Sequence, residues 1–130
     1  MISVVDDDMD ISRLFYEVLR ENMNKFSVFS FTDPIKALQH FMENKSLYTL
    51  VISDLRMSGL NGLELLKKVK DANPSVRTIL MSAYNFDEQK LFQNYMKQGI
   101  IDSTIEKPVT IQRLCQRVRD ELEVYQIMNT

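Results

Sequence analysis

Short apolar runs alternate along the chain with longer segments that carry apolar residues at helical spacing. The clearest run covers residues 50–53, which are rich in β-branched types, show no helical period and stop at the carboxylate of Asp54. Such a run is typical of a strand in a parallel sheet, because helices cover both faces of that sheet and no alternation remains. Further runs at residues 2–5, 26–31, 78–81 and 102–105 predict four more strands, of which the last is short and polar.

Five segments place apolar residues at the i, i+3, i+4, i+7 spacing of a helix that lies on a core. Residues 32–34 (Thr-Asp-Pro) form a helix-start signal, Pro74 ends a helical pattern, and Gly99 is a predicted left-handed C-cap. The predicted buried stripes are, in chain order, Ile11, Leu14, Phe15, Val18 and Leu19; Ile35, Leu38 and Met42; Leu63, Leu66 and Val69; Leu91, Phe92, Tyr95 and Met96; and Ile111, Leu114, Val118, Leu122 and Tyr125.

Five strands that alternate with five helices predict a doubly wound α/β fold with a parallel sheet, right-handed crossovers and helices on both faces. The flavodoxin-like strand order 2-1-3-4-5 is the natural one for a chain of this length. The sequence shows no internal repeat and no linker long enough to divide it, so we expect one domain over residues 1–130.

The composition of the chain argues against several classes of function and location. The formal net charge is -2 and the basic residues are scattered, which argues against direct nucleic-acid binding. Cys115 is the single cysteine, so no disulfide framework is expected, and the chain is compatible with a reducing cytoplasm. No basic segment precedes the first strand and no apolar stretch approaches the ~20 residues that cross a bilayer. We therefore expect a cytoplasmic protein without an export signal or a membrane span.

Three acids are expected to meet at the carboxyl edge of the sheet. Asp6 and Asp7 follow the first strand and Asp54 follows the third, and these strands are neighbours in the predicted order. Carboxylates this close repel one another, which raises their pKa values or destabilises the fold unless a cation binds. With oxygen ligands only, and no His or Cys beside them in the pattern, the cation that fits is Mg²⁺.

The last two strands end in residues that complete a phosphate site. Ser82 follows the fourth strand and offers a hydroxyl donor, and Lys107 follows the fifth and offers a fixed cation. A metal held by carboxylates usually handles phosphate, because it bridges the phosphate oxygens and neutralises developing charge. The joint pattern predicts a site for phosphoryl chemistry at this edge.

Four motifs, in order, resemble the receiver domains of two-component response regulators. Residues 4–8 resemble the acidic pair of that family, and residues 51–57 with Gly62 resemble its phosphoacceptor strand and loop. Ser82-Ala83 is similar to its hydroxyl-alanine step, and Lys107-Pro108 to its lysine followed by a cis-linked proline. The resemblance covers nearly the whole chain.

The resemblance implies a role for each site residue. Asp54 would be phosphorylated from a phosphohistidine on a sensor histidine kinase or a histidine phosphotransfer protein. The implied Mg²⁺ ligands are Asp7, Asp54 and the backbone carbonyl of Arg56, with Asp6 acting through water, while Lys107 would pair with the phosphoryl group and Ser82 would swing to hydrogen-bond it. The single histidine, His40, is predicted to be an ordinary surface residue and not the donor.

Phosphorylation is expected to reshape the surface formed by the fourth helix, the fifth strand and the fifth helix. A downstream effector domain or protein, or a second subunit in a phosphorylation-dependent homodimer, would bind that surface. The chain departs from the family pattern at Thr104, where the family usually has an aromatic switch residue. Tyr84, two positions after Ser82, is a candidate substitute aromatic group.

Two other classes stay open from the sequence alone. The D-x-D pattern at Asp6 and Asp8 also occurs in small haloacid-dehalogenase-like phosphatases, although Asp10 departs from their usual continuation. The second class is a binding module, either flavodoxin-like or an unphosphorylated pseudo-receiver adaptor. The chain has three glycines and no G-x-G-x-x-G or Walker loop, which disfavours a nucleotide site.

Overall fold

The computed structural model describes residues 1–83 and 85–130. Strands and helices alternate through them, and a short 3₁₀ turn, Lys45–Leu47, precedes the third strand. In chain order the elements are β1 (Ile2–Val5), α1 (Met9–Asn22), β2 (Val28–Phe31), α2 (Pro34–Glu43), β3 (Leu50–Asp54), α3 (Gly62–Ala72), β4 (Arg77–Ser82), α4 (Phe86–Lys97), β5 (Ser103–Glu106) and α5 (Ile111–Met128). None of the helices in the described ranges has both the length and the apolar character to cross a membrane.

The five strands form one parallel sheet in the order β2-β1-β3-β4-β5, which confirms the predicted fold. The register aligns the carboxyl ends of the central strands. Val5 lies beside Ser53, Asp54 beside Met81, and Ser82 beside Glu106. The residues at the carboxyl ends of β1, β3, β4 and β5, and those just after them, therefore meet at one edge, where the crevice of a doubly wound sheet lies.

Each face of the sheet has its own apolar core. Val51 and Leu80 point into the core that α2, α3 and α4 cover, whereas Ile52 and Ile79 point into the core that α1 and α5 cover. Successive residues of a strand face opposite sides, so burial on both faces leaves strands that are apolar throughout. This explains why the predicted strands show no alternation.

Side-chain caps fix where the helices begin. The Asp8 carboxylate accepts hydrogen bonds from the backbone N–H groups of Asp10 and Ile11, at 2.9 and 3.2 Å. At the start of α3, Asn61 and Glu64 form a reciprocal capping box. These caps satisfy backbone donors that have no partner within the helix. The loops after β1 and β3 therefore end at defined residues.

The buried faces of the helices differ in part from the predicted stripes. In α2 the core residues are Ala37 and Phe41, while Ile35 and Met42 are exposed. Leu14 in α1, Leu91 and Met96 in α4, and Ile111 in α5 are exposed as well. A helix that lies on a sheet buries a narrow strip, and each residue turns the helix by about 100°. An apolar side chain one position away from the strip therefore reaches solvent.

His40 is not an ordinary surface side chain. It is half-buried, and its Nδ1 lies 2.7 Å from the hydroxyl oxygen of Tyr48, a fully buried residue. Its ring packs against Phe29 and Phe31, with centroid separations of 4.4 and 5.4 Å. His40 thus belongs to an aromatic cluster between α2 and β2.

A group of charged side chains joins the elements at the other end of the sheet. Asp102, just before β5, has its Oδ2 2.7 Å from Lys70 Nζ of α3 and accepts the Thr78 backbone N–H at 2.9 Å. Arg77, at the start of β4, approaches Asp102 at 3.5 Å and Glu121 of α5 at 3.0 Å. These contacts join α3, β4 and α5 at the edge away from the acids.

Candidate functional site

The structure brings the three predicted acids together. One carboxylate oxygen each from Asp6, Asp7 and Asp54 lies within 4.8 Å of the other two. Asp6 and Asp54 are 2% and 6% exposed, whereas Asp7 is open to solvent. The adjacency of β1 and β3 produces this cluster, because Asp6 and Asp7 directly follow β1 and Asp54 is the last residue of β3.

Asp6 is the acid whose charge is hardest to accommodate. Burial raises its pKa above the ordinary value, and the Asp54 and Asp7 carboxylates raise it further. The Asp8 backbone N–H, which donates to Asp6 Oδ1 at 3.0 Å, and the Lys107 ammonium act in the opposite direction. The cluster therefore favours either a proton or a cation among its oxygens.

Asp54 is held by two donors. Lys107 Nζ lies 2.7 Å from Asp54 Oδ1, and the Leu55 backbone N–H donates to the same oxygen at 2.9 Å. Lys107 itself is positioned by its own backbone N–H, which donates to the Ser82 carbonyl at 2.8 Å. The peptide bond between Lys107 and Pro108 is cis. The two donors fix the orientation of the Asp54 carboxylate.

Two cavities meet at Asp54 and Lys107. The acidic cleft, about 400 Å³, is also lined by the Asp6–Asp8 acids and by Ile11, Phe15, Pro108 and Val109. The hydroxyl pocket, about 150 Å³, is also lined by Leu55, Arg56, Ser82, Ala83, Asn85 and Glu88. Ser82 is buried at the end of β4. The acids and the hydroxyl thus approach Asp54 from different sides.

At Gly62, the loop after β3 brings its backbone very close to the backbone of Asp54 and Leu55. The Gly62 N–H donates to the Leu55 carbonyl at 2.8 Å. A Cβ atom at this position would lie 2.2 Å from the Asp54 carbonyl oxygen, closer than any real contact. Only glycine fits, so Gly62 fixes the path of the chain that carries Asp54.

Sequence reasoning missed Glu88. This residue, in the first turn of α4, forms an ion pair with the Arg56 side chain. An acid in the first turn is normally explained by the helix dipole, so nothing in the sequence pattern pointed to a partner for Glu88. Tyr84 lies outside the described residues, and Thr104 is half-buried on β5.

The donor set suits a hard divalent cation. Asp6, Asp7 and Asp54 offer carboxylate oxygens, and no His or Cys is among the described residues that line the acidic cleft. Because Asp7 is exposed, a cation bound there can keep several water ligands. The raised pKa of Asp6 is consistent with such a site, since a cation would relieve the repulsion.

A flavodoxin-like sheet that gathers acids, a hydroxyl and a lysine at its carboxyl edge defines a class of α/β signalling domain. The response regulator receiver domain model matches residues 2–119, so the chain belongs to that family. Receiver domains take part in phosphorelay signalling, together with histidine kinases and effector domains. The family assignment favours the receiver over the phosphatase-like alternative.

Known proteins agree with this assignment. The chain is 31% identical over 113 residues to the transcriptional regulatory protein ZraR of Klebsiella oxytoca, covering 87% of this chain and 24% of ZraR. It is 29% identical over 124 residues to sporulation initiation phosphotransferase F of Bacillus subtilis, covering 95% of this chain and 91% of that protein. A receiver domain protein structure from Clostridium thermocellum shares the fold, with a TM-score of 0.86, 24% identity, and coverage of 98% of this chain and 97% of that one.

Proposed function

We propose that Asp54 is the phosphoacceptor and that it receives its phosphoryl group from a phosphohistidine. The donor would be a sensor histidine kinase or a histidine phosphotransfer protein. The observation that supports this best is the placement of Asp54, next to two other carboxylates and 2.7 Å from Lys107. A buried carboxylate with a fixed cation beside it is suited to accept phosphorus and to neutralise the charge that follows.

The transfer is a direct displacement at phosphorus. A carboxylate oxygen of Asp54 forms the new O–P bond while the N–P bond of the phosphohistidine breaks, and the imidazole leaves with the electron pair and takes up a proton. Lys107 stabilises the charge on the phosphoryl oxygens, because it already lies at the carboxylate that becomes phosphorylated. Mg²⁺ in the acidic cleft would neutralise charge on the transferring group.

We assign the metal to Asp7, Asp54 and the backbone carbonyl of Arg56, with Asp6 acting through a water molecule. Two observations support this division. Asp7 is exposed and can bind a hydrated ion, while Asp6 is buried and has one oxygen engaged by the Asp8 N–H. All the ligands are oxygens, as Mg²⁺ prefers.

Ser82 and Lys107 together would convert phosphorylation into a change of shape. Inverting a 1:99 equilibrium needs about 5.5 kcal/mol of differential binding, and a hydrogen bond to a charged group contributes roughly 1.5 to 3 kcal/mol. One contact is too weak, whereas two approach the requirement. Both residues line the hydroxyl pocket with Asp54. The surface of α4, β5 and α5 is the proposed output, and a role for Tyr84 in it stays a prediction.

The proposed binding partners are those expected of a receiver domain. We propose that residues 1–130 form a single receiver domain, whose phosphorylated state is recognised by an effector domain or protein or by a second copy of the chain. ZraR is about four times as long as the matched region, so a longer protein can carry such a domain. Phosphotransferase F is almost fully matched. A cytoplasmic location and the lack of direct contact with nucleic acid stay predictions.

Acetyl phosphate with Mg²⁺, followed by intact-mass measurement, tests the proposal. The wild type should gain one phosphoryl group, and Asp54→Asn, which keeps the size of the side chain, should gain none. Equal labelling of the two proteins would refute Asp54 as the acceptor. Steady hydrolysis of p-nitrophenyl phosphate that is lost in Asp6→Asn but kept in Asp54→Asn would instead favour the phosphatase-like alternative.

A further inference from the structure

An ion pair connects the loop that follows the phosphoacceptor with the first turn of α4. The Arg56 guanidinium pairs with the Glu88 carboxylate, and both residues line the hydroxyl pocket together with Asp54 and Ser82. The Arg56 side chain is 75% exposed, while that of Glu88 is 21% exposed. The guanidinium of this pair therefore lies mostly in solvent, whereas the carboxylate is mostly buried at the pocket wall.

A phosphoryl group on Asp54 would compete for that cation. It adds up to about two negative charges and three acceptor oxygens, next to a wall that already carries the Glu88 carboxylate. Like charges repel across a small pocket, and a guanidinium binds phosphate oxygens with two parallel hydrogen bonds. Exposed ion pairs are weak, so the pair with Glu88 is easily exchanged for one with a phosphoryl dianion.

We propose that Arg56 is a positioning residue that exchanges partners: it pairs with Glu88 in the unphosphorylated protein and with the phosphoryl oxygens after phosphorylation. The exchange frees Glu88 and loosens the first turn of α4. This inference rests on the proposed phosphorylation of Asp54. It provides a link from the site to α4 that needs no aromatic ring on β5, where this chain has Thr104.

Beryllofluoride with Mg²⁺, a stable mimic of the phosphoryl group, is the probe, and its affinity is measured for wild type, Arg56→Gln and Glu88→Gln. Arg56→Gln should weaken the affinity about two- to fivefold, the range expected for one exposed charge contact. Glu88→Gln should tighten it by a similar factor, because no competing carboxylate remains. Asp87→Asn is the matched control, since Asp87 is an exposed acid in the same turn. If net charge alone mattered, Asp87→Asn would tighten the affinity as much as Glu88→Gln.

Amide hydrogen exchange of residues 87–90 provides a second measurement. The mimic should speed their exchange in the wild type, and in Glu88→Gln exchange should be fast before the mimic is added. Any of three results would overturn the inference. Arg56→Gln could leave the affinity for the mimic unchanged, or Glu88→Gln and Asp87→Asn could change it equally. The third is that the mimic leaves amide hydrogen exchange of the wild type unaltered. Failure of the proposed function looks different, because wild type and Asp54→Asn would then respond to the mimic alike.

Discussion

The reactivity expected of Asp54 depends on its own burial and on its charged neighbours Asp6, Asp7 and Lys107. Asp6 and Asp54 are almost inaccessible, and Lys107 neutralises only one of them directly, at 2.7 Å from Asp54. Burial and two nearby carboxylates raise the pKa of Asp6, so its ionised form is energetically disfavoured in the absence of a cation. The site is thus arranged for a ligand of positive charge.

The pH dependence of stability should reveal this burial. Because the folded-state pKa of Asp6 is raised above 3.8, the stability that its neutral form provides is fully present below 3.8 and is lost as the pH rises through the folded-state pKa. Without metal, the free energy of unfolding of wild type relative to Asp6→Asn should therefore fall across that window. Urea titrations at a series of pH values measure it, and a difference that stays constant with pH would contradict the prediction.

Gly62→Ala should disturb the phosphoacceptor directly. The added Cβ would meet the Asp54 carbonyl oxygen at 2.2 Å, so the backbone of β3 must shift, at a cost of about 3 kcal/mol. Gly99→Ala is the control: it has a φ of +76° but open space around it, so only backbone strain of about 1–2 kcal/mol is expected. Denaturant unfolding measures both costs. Labelling by acetyl phosphate should fall in Gly62→Ala alone, and equal labelling of the two variants would disprove the argument.

At the scale of the elements, α3 and α4 differ in how firmly they are attached. Five residues of α3 are buried, and Lys70 at its end is paired with Asp102. Among the described side chains of α4, Phe92 is in the core while Leu91 and Met96 are exposed. Elements with few buried contacts open most readily. Of these two helices, α4, which lies beside the hydroxyl pocket, is therefore expected to move more readily.

Asp102→Ala should be strongly destabilising. It removes the common partner of Lys70, Arg77 and Thr78 and leaves two mostly buried cations without that partner, which costs about 3 kcal/mol. Asp71→Ala breaks only the exposed pair with Lys67 and should cost less than about 0.5 kcal/mol. Thermal unfolding compares the two variants, and similar losses would show that the Asp102 group contributes little.

The helices and strands were predictable because their signals are local. All five strands and five helices occur within a few residues of the predicted positions, and Thr110, like Asp33, caps the helix it precedes. Which face of each helix is buried was less predictable. Ile35 and Met42 have helical spacing, yet Ala37 and Phe41 meet the sheet, because contact with the sheet fixes the rotation of α2. Spacing alone leaves that rotation undetermined.

The order of the strands in the sheet creates the site. The chain passes from β1 to β2 at one edge and returns to β3 on the other side of β1, so acids far apart in sequence become neighbours. No single element contains the cluster. A ligand that joins Asp7 and Asp54 therefore links β1 to β3 and should stabilise the entire fold.

Mg²⁺ should raise the unfolding temperature, and EDTA should reverse the effect. At ten times its Kd, a ligand that binds only the folded state adds about 1.4 kcal/mol. Asp7→Asn should abolish the response, whereas Asp71→Asn, which changes an acid outside the cluster, should keep it. Differential scanning calorimetry provides the measurement. An equal response in Asp7→Asn would place the metal elsewhere.

Local sequence was enough to predict the alternation of strands and helices and to place Asp6, Asp7, Asp54, Ser82 and Lys107 at strand ends, because periodicity and termination are properties of neighbouring residues. Packing between distant elements was needed to show which helix faces are buried, that the pKa of Asp6 is raised, and that Arg56 pairs with Glu88, 32 positions away. Those features depend on distances and desolvation between distant parts of the chain, and such distances exist only once the elements have packed.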